Sequence, residues 1–495
     1  MLLPIARKPP VFRQCPFLCL IVWSWVVTSV LPSAIAADRP NIVYFLADDL
    51  GFTDVGWHGS EIQTPNLDKL ALEGARLEQF YVLPVCSPTR AALLTGRYPI
   101  RHGLQLSVVR PWAQYGLPLD ERTLPQALKE AGYTTAIVGK WHLGHYQSEY
   151  LPLHRGFDKQ YGHYNGMIDY FTHIRDGGFD WHRDDKANYD EGYTTNLIGD
   201  EAVRIIEQQA ADKPLFLYVP FNAPHSPLQV PDEYLKIYST ISDKKRQAYA
   251  AMVHCLDEQV GRVVAAIEKR GSTSQTLFLF STDNGGPTSL GATNGELRAG
   301  KGTLYEGGTR GVALANWKGK IAPGTIVNEP LHIVDWYPTL LRLAGVTTDQ
   351  PLPLDGKDIW PTIAEAQPSP HEAILINSVP RSGAIRVGEW KLVINGSIGA
   401  NDVEAATSAE STNSKSGKKG KKAAANSTTN IELFNLAQDP NEKANIAEQF
   451  PDKAKELQLK LDEYARSAVP PKAEEQSGGF KAPKVWGETQ TNRPK

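Results

Sequence analysis

Four runs of apolar, β-favouring residues constrain the fold more than any other feature of the sequence. None of them alternates apolar with polar residues, so each is typical of a strand that is buried on both faces of a parallel sheet. Segments with helical periodicity separate these runs, and the alternation predicts an open α/β sheet. The predicted strands are residues 41–47, 134–138, 215–219 and 276–280, and the predicted helices are residues 67–75, 123–131, 196–209 and 246–269.

Polar residues of chemically useful types follow each predicted strand. In an open α/β sheet, ligands bind beyond the carboxyl ends of the strands, so these side chains are expected to converge on one edge. The sequence therefore predicts an active site at that edge. The residues are Asp48 and Asp49 after the first strand, Lys140 and His142 after the second, His225 after the third, and Asp283 and Asn284 after the fourth.

Oxygen donors dominate two of these strand ends. Hard divalent cations such as Ca²⁺ and Mg²⁺ prefer carboxylate and amide oxygens, whereas zinc favours nitrogen and sulfur. Two such pairs at the ends of separate buried strands predict a site for a hard divalent cation. The predicted ligands are Asp48, Asp49, Asp283 and Asn284.

Residues 85–97 contain Cys86 and Arg90. Pro88 has a fixed φ and no N–H, so it suits the first turn of a helix, which Gly96 can end. Cys86 is therefore expected at or just before a helix N-terminus, where backbone N–H groups favour an anion. Arg90 lies four residues further on and can share its face. The alternative is a small buried cysteine with a purely structural role.

The first 36 residues predict a secretory signal peptide. A basic segment precedes a mostly apolar run, residues 17–31, and Ala34-Ile35-Ala36 is typical of a cleavage site. The apolar run is shorter than the ~20 residues of a membrane-spanning helix, so cleavage is favoured over a retained anchor. We expect export to a periplasmic, extracellular or lysosome-like compartment, without stable membrane insertion after cleavage. The net charge of −3 provides no general attraction to nucleic acid.

Two of the four cysteines lie within the predicted signal peptide, which leaves Cys86 and Cys255. Two cysteines do not make a disulfide scaffold. Cys255 lies in a helical pattern and is predicted to be a core residue. A disulfide between the two is an open alternative, and it would consume the thiol at position 86.

The character of the sequence changes after residue 345, where prolines become frequent. Residues 37–366 are predicted to form a catalytic domain, and residues 367–470 a smaller α+β unit with short antiparallel strands. Residues 405–430 are rich in Ser, Ala, Asn and Lys and cannot bury enough apolar surface to become ordered, which predicts a disordered insertion. Residues 471–495 are predicted to be a flexible tail. The lysines of the insertion are expected to be solvated, with binding of a sulfated polymer as the alternative.

The pattern Cys86-x-Pro88-x-Arg90, followed by Leu94-Thr95-Gly96-Arg97, resembles the signature of the type I sulfatases. Within that family the sequence is similar to arylsulfatase B, the N-acetylgalactosamine-4-sulfatase, from residue 39 to about residue 370. The resemblance implies an alkaline-phosphatase-like fold: a large mixed, mainly parallel sheet flanked by helices, and a smaller C-terminal α+β domain built on a short antiparallel sheet. Other stretches that support it are Asp48-Asp49-Leu50-Gly51, Gly139-Lys140-Trp141-His142 and Ser281-Thr282-Asp283-Asn284.

The resemblance also implies a chemistry. A maturation enzyme would oxidise Cys86 to formylglycine (3-oxoalanine), whose hydrate attacks sulfur with the help of Asp283 and forms a covalent sulfate hemiester. His225, with Lys301, would protonate the leaving oxygen of a sulfated carbohydrate, and His142 would help to release sulfate. Arg90, Lys140 and Lys301 would supply positive charge. The implied ligands of one Ca²⁺ ion, with Mg²⁺ less favoured, are Asp48, Asp49, residue 86, Asp283 and Asn284.

Two other functions stay open from the sequence. A phosphodiesterase or phosphonate monoester hydrolase of the same superfamily also uses formylglycine. A non-catalytic binder of sulfated glycans would result if Cys86 were never oxidised. The sequence lacks the family's disulfide cysteines and has a low-complexity insertion, so it leaves the sugar and the sulfate position undefined.

Overall fold

A ten-stranded mixed sheet forms the centre of the structure, a computed structural model that describes residues 39–398 and 429–488. The strands are β1 (Asn41–Ala47), β2 (Ala75–Leu77), β3 (Phe80–Tyr81), β4 (Thr134–Lys140), β5 (Lys159–His163), β6 (Ile174–Arg175), β7 (Gly178–Phe179), β8 (His182–Arg183), β9 (Lys186–Ala187), β10 (Leu215–Pro220), β11 (Thr276–Thr282), β12 (Arg310–Gly311), β13 (Ala313–Asn316), β14 (Thr325–Val327), β15 (Leu331–His332), β16 (Ile374–Ser378), β17 (Gly383–Val387), β18 (Trp390–Ile394) and β19 (Ile431–Asn435).

Helices cover the faces of this sheet and support the smaller sheets. The α-helices are α1 (Pro65–Leu72), α2 (Cys86–Thr95), α3 (Leu124–Glu130), α4 (Thr194–Gln208), α5 (Asp232–Ile237), α6 (Lys244–Lys269), α7 (Glu306–Thr309), α8 (Trp336–Leu343), α9 (Trp360–Glu365) and α10 (Pro451–Arg466). Short 3₁₀ helices are Gly56–His58, Pro99–Arg101, Ser148–Tyr150, Pro152–Arg155, Thr273–Gln275, Thr288–Leu290 and Ile333–Asp335.

The four predicted strands are β1, β4, β10 and β11, and they are neighbours in the central sheet. The strand order is β14-β2-β13-β11-β1-β10-β4-β5-β8-β9, and the run from β11 to β5 is parallel. Antiparallel pairings occur only outside that run in the ten-stranded sheet. The predicted large mixed, mainly parallel sheet is therefore confirmed.

Alternate residues of β1 lie in two different cores, one on each face of the sheet. Tyr44 belongs to the first core and Phe45 to the second, and both are fully buried. A strand enclosed in this way needs apolar residues at every position, which explains the unbroken hydrophobic runs in the sequence. β4 and β11 run two residues beyond their predicted ends, so they reach directly to the polar residues that follow.

The C-terminal part forms a second sheet, with the order β16-β17-β18-β19 and antiparallel pairing throughout. Leu392 and Leu433 on one face join the first core together with Leu457 of α10, while Phe434 faces a smaller cluster that includes Tyr81. The predicted antiparallel sheet is confirmed. From Arg39 onward the described chain forms one compact unit, so the predicted boundary at residues 366 and 367 stays a prediction.

Several sequence-based expectations fall on residues that the structure does not describe. The predicted signal peptide, residues 1–36, lies outside the described residues. So does the predicted disordered insertion at residues 405–430, apart from its last two positions. Within the described ranges, no helix is both long and apolar enough to cross a membrane.

The described part of the predicted flexible tail packs against the rest of the chain, which corrects that expectation. Trp486 is only 1% exposed, and its backbone N–H donates to the carbonyl oxygen of Phe179 (2.9 Å). The Phe480 ring contacts Trp112 edge to face and stacks on Trp486. These aromatic residues are widely spaced among polar ones, so they produce no periodic signal in the sequence although they bury considerable apolar surface.

A buried ionic network connects the C-terminal sheet to α7 and to β3, which lies in a separate three-stranded sheet with the order β12-β3-β15. The ammonium of Lys391, on β18, lies 2.8 Å from Glu306 of α7 and 2.9 Å from Glu442, and Lys391 is fully buried. Tyr81 of β3 donates its hydroxyl hydrogen to Glu306 (3.0 Å) and accepts a hydrogen bond from Arg386 of β17 (2.6 Å). The two carboxylates therefore share one cation at the junction of the sheets.

We predict that Lys391→Ala lowers the free energy of unfolding by about 3–5 kcal/mol, because it leaves two buried carboxylates without their shared cation. Chemical denaturation of the purified protein measures this loss. The matched control is Lys453→Ala, which removes a partly exposed pair with Glu456 and should cost less than about 1 kcal/mol. Equal losses in the two variants would contradict the importance assigned to the buried network.

Candidate active site

Cys86 is the first residue of α2, as the sequence predicts, and it is 2% exposed. Val85 before it is extended, and Gly96 ends the helix in the left-handed region (φ 67°). The Cys86 Sγ atom lies 3.4 Å from Asp48 Oδ1 and 3.6 Å from Lys301 Nζ. Both cysteines are free, and Cys255 lies in the other core, where its thiol contacts Asn196. The structure therefore contains no Cys86–Cys255 disulfide.

The carboxylates at the ends of β1 and β11 meet beside Cys86. The backbone N–H of Asp49 donates to Asp283 Oδ1 (3.2 Å), and the side-chain amide of Asn284 donates to Asp49 Oδ1 (2.8 Å). Asp49 holds a left-handed backbone conformation (φ 72°), which turns the chain sharply after β1. Asp48, Asp49, Asp283 and Asn284 are at most 1% exposed. The convergence expected for adjacent parallel strands is thus present.

Three cations compensate the three carboxylates. Arg90 Nη2 lies 2.9 Å from Asp283 Oδ2 and 3.4 Å from Asp48 Oδ2, and its Nη1 donates to the carbonyl oxygen of Lys140 (3.0 Å). The Lys140 ammonium donates to Asp48 Oδ2, and the Lys301 ammonium donates to Asp49 Oδ1 (2.6 Å). Burying these charges without such pairing would cost several kcal/mol for each ion.

The two predicted histidines approach Cys86 from different strands. His225 Nε2 lies 3.6 Å from Asp49 Oδ2, while its Nδ1 is 2.7 Å from the carbonyl oxygen of Ser226. A carbonyl oxygen only accepts, so Nδ1 carries the hydrogen and Nε2 is the atom that gains and loses a proton. In His142 the roles are reversed: Nε2 bonds the Val109 carbonyl oxygen (3.1 Å), and the buried Nδ1 has no hydrogen-bond partner among the described residues.

The position of His142 depends on an unusual backbone conformation. Lys140 and His142 are two residues apart, and extended backbone would direct both side chains the same way. His142 instead has φ 60°, in the left-handed region. Its ring fits because Gly166 lies against it: a Cβ on Gly166 would come within 2.3 Å of His142 Cε1. Lys140 is directed into the buried acidic cluster, and His142 lines the cavity described below.

Burial and the neighbouring charges shift the protonation equilibria of the site. Burial raises the pKa of the Cys86 thiol well above its ordinary value, and the Asp283 and Asp48 carboxylates raise it further. Burial lowers the pKa of His142 well below its usual value, as does the positive charge of Lys140. An unmodified thiol here stays protonated and is a weak nucleophile.

Cys86 lines a cavity of about 910 Å³. His142, His225 and Lys301 line it as well, and the remaining predicted site residues are buried and contact these four or one another. Several lining residues were not predicted from the sequence, because they follow no predicted strand and all of them except Arg175 of β6 lie in irregular loops. They include Val109, Arg110, Met167, Arg175, Ile398 and Glu475.

The acidic cluster has the donor set of a hard cation. Ligand atoms of Asp48, Asp49, Cys86 and His225 all lie within 4.8 Å of one another. Asn284 Oδ1 is buried and accepts no hydrogen bond within the described chain, so an acceptor is available that a metal ion would satisfy. Asp283 joins the cluster through its contact with the Asp49 amide. Four oxygen-donating residues fit Ca²⁺ or Mg²⁺.

The chain is similar to several known proteins. The family model described as Sulfatase matches residues 40–346. Arylsulfatase J of Mus musculus is 41% identical over 460 residues, which are 87% of this chain and 77% of that protein. N-acetylgalactosamine-6-sulfatase of Mus musculus is 35% identical over 363 residues, 68% of each chain. The crystal structure of Ps i-CgsB in complex with k-i-k-neocarrahexaose has a TM-score of 0.77 and 30% identity, and covers 89% of this chain and 95% of that one.

We predict that Ca²⁺ at a hundredfold excess over its dissociation constant raises the free energy of unfolding by about 2.7 kcal/mol. The reason is that the oxygen ligands come together only in the folded state. Thermal unfolding with and without the ion measures the effect, and a chelator should reverse it. Asn284→Ala removes one oxygen donor and should largely abolish the shift.

The control for this experiment is Asp257→Asn, which changes a buried carboxylate that caps α1 through Asn66 and Leu67. It should lower the midpoint but keep the Ca²⁺-induced shift. A shift of equal size in the Asn284→Ala protein would place the ion elsewhere. A larger shift with Mg²⁺ than with Ca²⁺ would reverse the preferred ion.

Proposed function

The chain belongs to the sulfatase family and is a sulfuric ester hydrolase, and from that premise we propose that it removes sulfate groups from sulfated carbohydrates. The single observation that supports the reaction best is Cys86 at a helix N-terminus, between Asp48 and Lys301, in a cavity that two histidines also line. The relatives support the substrate class. One is an N-acetylgalactosamine-6-sulfatase, and a similar solved structure is a complex with k-i-k-neocarrahexaose.

We further propose that Cys86 is oxidised to formylglycine by a maturation enzyme, and that its hydrate forms a covalent sulfate ester during turnover. The surroundings of residue 86 suit this conversion. A buried thiol between two carboxylates resists ionisation, so the unmodified cysteine is a poor nucleophile. A gem-diol needs no thiolate and can donate hydrogen bonds to the same carboxylates, among them Asp283, which is proposed to assist its attack.

The cations of the site have two different positions relative to the substrate. Lys301 lines the cavity and is proposed to contact the sulfate group or the leaving oxygen directly. Arg90 and Lys140 lie deeper, against Asp48 and Asp283. They offset the negative charge that would otherwise repel an anionic substrate, and such fixed, buried charges need no reorganisation as the transition state forms.

The two histidines are proposed to move protons at different atoms. Burial lowers the pKa of His225, and the Asp49 carboxylate that faces its Nε2 acts against this shift by favouring the protonated form. His225 is therefore the proposed acid that protonates the leaving alcohol oxygen. His142 Nδ1 presents a lone pair that receives no hydrogen bond from the described residues, and burial lowers the pKa of His142, so it suits a base. The proposed role of His142 is to take the proton of the second hydroxyl when sulfate is released.

A Ca²⁺ ion is proposed to be held by Asp48, Asp49, Asp283, Asn284 and residue 86. When bound, it supplies positive charge toward the oxygens of the sulfate group. The sugar specificity that the sequence suggests, an N-acetylgalactosamine-4-sulfate, is one member of the proposed substrate class. Export, with cleavage of residues 1–36, is likewise a proposal, supported by the composition of that segment.

We predict that Cys86→Ala lowers kcat by about four orders of magnitude or more, because it removes the nucleophile. The assay compares an aryl sulfate with the matched aryl phosphate diester. The control is Cys255→Ala, which removes the other buried thiol and should keep the rate. Peptide mass spectrometry of the natively produced enzyme should show aldehyde in place of thiol at residue 86.

Three results would contradict these assignments. If the Cys86→Ala variant kept its activity, residue 86 would be excluded as the nucleophile. A strong preference of the wild-type enzyme for the phosphate diester would favour the hypothesis that the protein is a phosphodiesterase. A fully unmodified thiol in active, natively produced protein would exclude the formylglycine chemistry.

We predict that His225→Ala slows hydrolysis of an alkyl or sugar sulfate by about 10²–10⁴-fold, the usual contribution of a general acid. An aryl sulfate with an acidic phenol should be affected much less, since its leaving oxygen needs no proton. The matched control is His142→Ala, which should slow both substrates to a similar extent. Equal losses on both substrates in His225→Ala would assign another role to His225.

A further inference from the structure

Two arginines on the wall of the cavity have no role in the chemistry proposed above. Arg110 and Arg175 both line the cavity that contains Cys86. Arg110 is exposed, and its guanidinium carbon lies 6.0 Å from the centroid of the Trp112 ring. Within residues 39–398 and 429–488 it forms no ion pair. A guanidinium at a cavity wall without a carboxylate partner is available to an anionic ligand.

Arg175 has a buried nitrogen that the chain leaves unsatisfied. Its Nε forms an ion pair with the exposed carboxylate of Asp176 (3.2 Å to Oδ2), but it makes no hydrogen bond within the described chain. Leaving a buried donor without an acceptor costs about 1–3 kcal/mol, and more for a charged group. Native structures contain few buried donors without an acceptor. A bound ligand that supplied an acceptor to Arg175 would explain why this donor has none in the described chain.

The C-terminal segment, residues 469–488, crosses both regions and is called the strap below. It runs along the loop before Arg110, where the N–H of Lys472 donates to the carbonyl oxygen of Gly103 (2.7 Å). Its Glu474 forms a first anchor: the carbonyl oxygen accepts from Trp112 Nε1 (2.8 Å), and the carboxylate accepts from the N–H of Gln114 (2.7 Å). The first anchor thus fixes the ring that lies near the Arg110 guanidinium.

Trp486 forms the second anchor. Its Nε1 donates to the carbonyl oxygen of Arg175 (3.0 Å), and its backbone N–H donates to Phe179 in the same β6–β7 hairpin (2.9 Å). The Phe480 ring contacts both Trp112 and Trp486, with centroid distances of 6.2 and 6.3 Å, so it connects the two anchors. The strap therefore holds the segments of both arginines through one continuous set of contacts.

We propose that Arg110 and Arg175 form an outer anion subsite, positioned by the strap, which takes a second acidic group of the substrate. This inference rests on the proposed function and extends it from sulfated carbohydrates to polyanionic ones, with a sulfate or carboxylate beyond the sulfate that is cleaved. Guanidinium groups match the paired oxygens of both anions. The cavity, at about 910 Å³, has the size that encloses a ligand well beyond a single sulfate group.

Glu475 of the strap lines the same cavity and has the opposite charge. Its negative charge weakens the general attraction of this wall for anions. Whether a ligand binds tightly therefore depends on where its second acidic group lies relative to the two arginines. Removal of this carboxylate should therefore strengthen the binding of a polyanion, whereas removal of either guanidinium should weaken it. The opposite signs separate a local subsite from a general change of stability.

The test compares a disaccharide without uronic acid that carries two sulfate groups and its monosulfated counterpart, because a uronate carboxylate would already supply a second acidic group. Their dissociation constants are measured by titration calorimetry at fixed ionic strength, in full-length Cys86→Ala protein so that neither is turned over. The disulfated ligand should bind about tenfold more tightly, the factor of one charge-assisted hydrogen bond. Arg110→Gln and Arg175→Gln should each bring this ratio close to one, and Glu475→Gln should raise it.

Two further variants serve as control and as a test of the strap. Arg262→Gln removes an exposed arginine of α6 that pairs with Asp200 of α4, and it should leave the ratio unchanged. Trp486→Ala should lower the ratio as Arg175→Gln does, and Trp486→Phe, which keeps a ring but not the N–H donor, should restore part of it. A merely structural role for Trp486 would lower the melting temperature without changing the ratio.

A ratio of one in the parent protein, or a ratio unaffected by Arg110→Gln and Arg175→Gln, would overturn the subsite. Aryl sulfate hydrolysis by the wild-type enzyme decides the proposed function separately. If that activity is present and the ratio is insensitive, only the subsite is wrong. If the ratio responds as expected and no sulfate ester is hydrolysed, the subsite holds and the proposed reaction is wrong.

Discussion

The site depends on one buried guanidinium. Arg90 is fully buried and binds the carboxylates at the ends of β1 and β11, together with the carbonyl oxygen of Lys140 at the end of β4. Three strand ends are thus tied to the helix that begins with Cys86. Without this cation, Asp48 and Asp283 would face each other at short range in a medium of low dielectric constant, where like charges repel strongly. The geometry of the remaining site follows from this arrangement.

Four of the five strands in the parallel run of the sheet, and its chemical edge, could be predicted from the sequence, because both follow from local rules. A strand buried on both faces must be apolar at every position, so β1, β4, β10 and β11 are visible as unbroken runs. Parallel strands place their carboxyl ends on the same edge, so the residues that follow them meet. The helix start at Cys86 is also a local matter, since it depends on Pro88 and on the residues after it.

What the sequence did not predict depends on contacts between distant segments. The left-handed conformation of His142 needs the small Gly166 against its ring, and nothing near position 142 specifies that. The strap appeared to be a flexible tail, because its stabilising residues, Phe480 and Trp486, lie six positions apart among polar ones. The Lys391 network likewise joins residues 391, 306 and 442, whose proximity only the folded chain reveals.

The reacting centre and the cavity wall differ in how they are built. The carboxylates, Arg90 and Lys140 are at most 1% exposed, and the strands and helices of the central sheet hold them. The wall consists of loops that the strap fixes through a few hydrogen bonds and stacked rings. Rigid strands and helices hold charged groups in the precise positions that catalysis requires. Loops can change in sequence without moving those groups. Substitutions in the strap are therefore expected to change the cavity wall while the geometry around residue 86 stays the same.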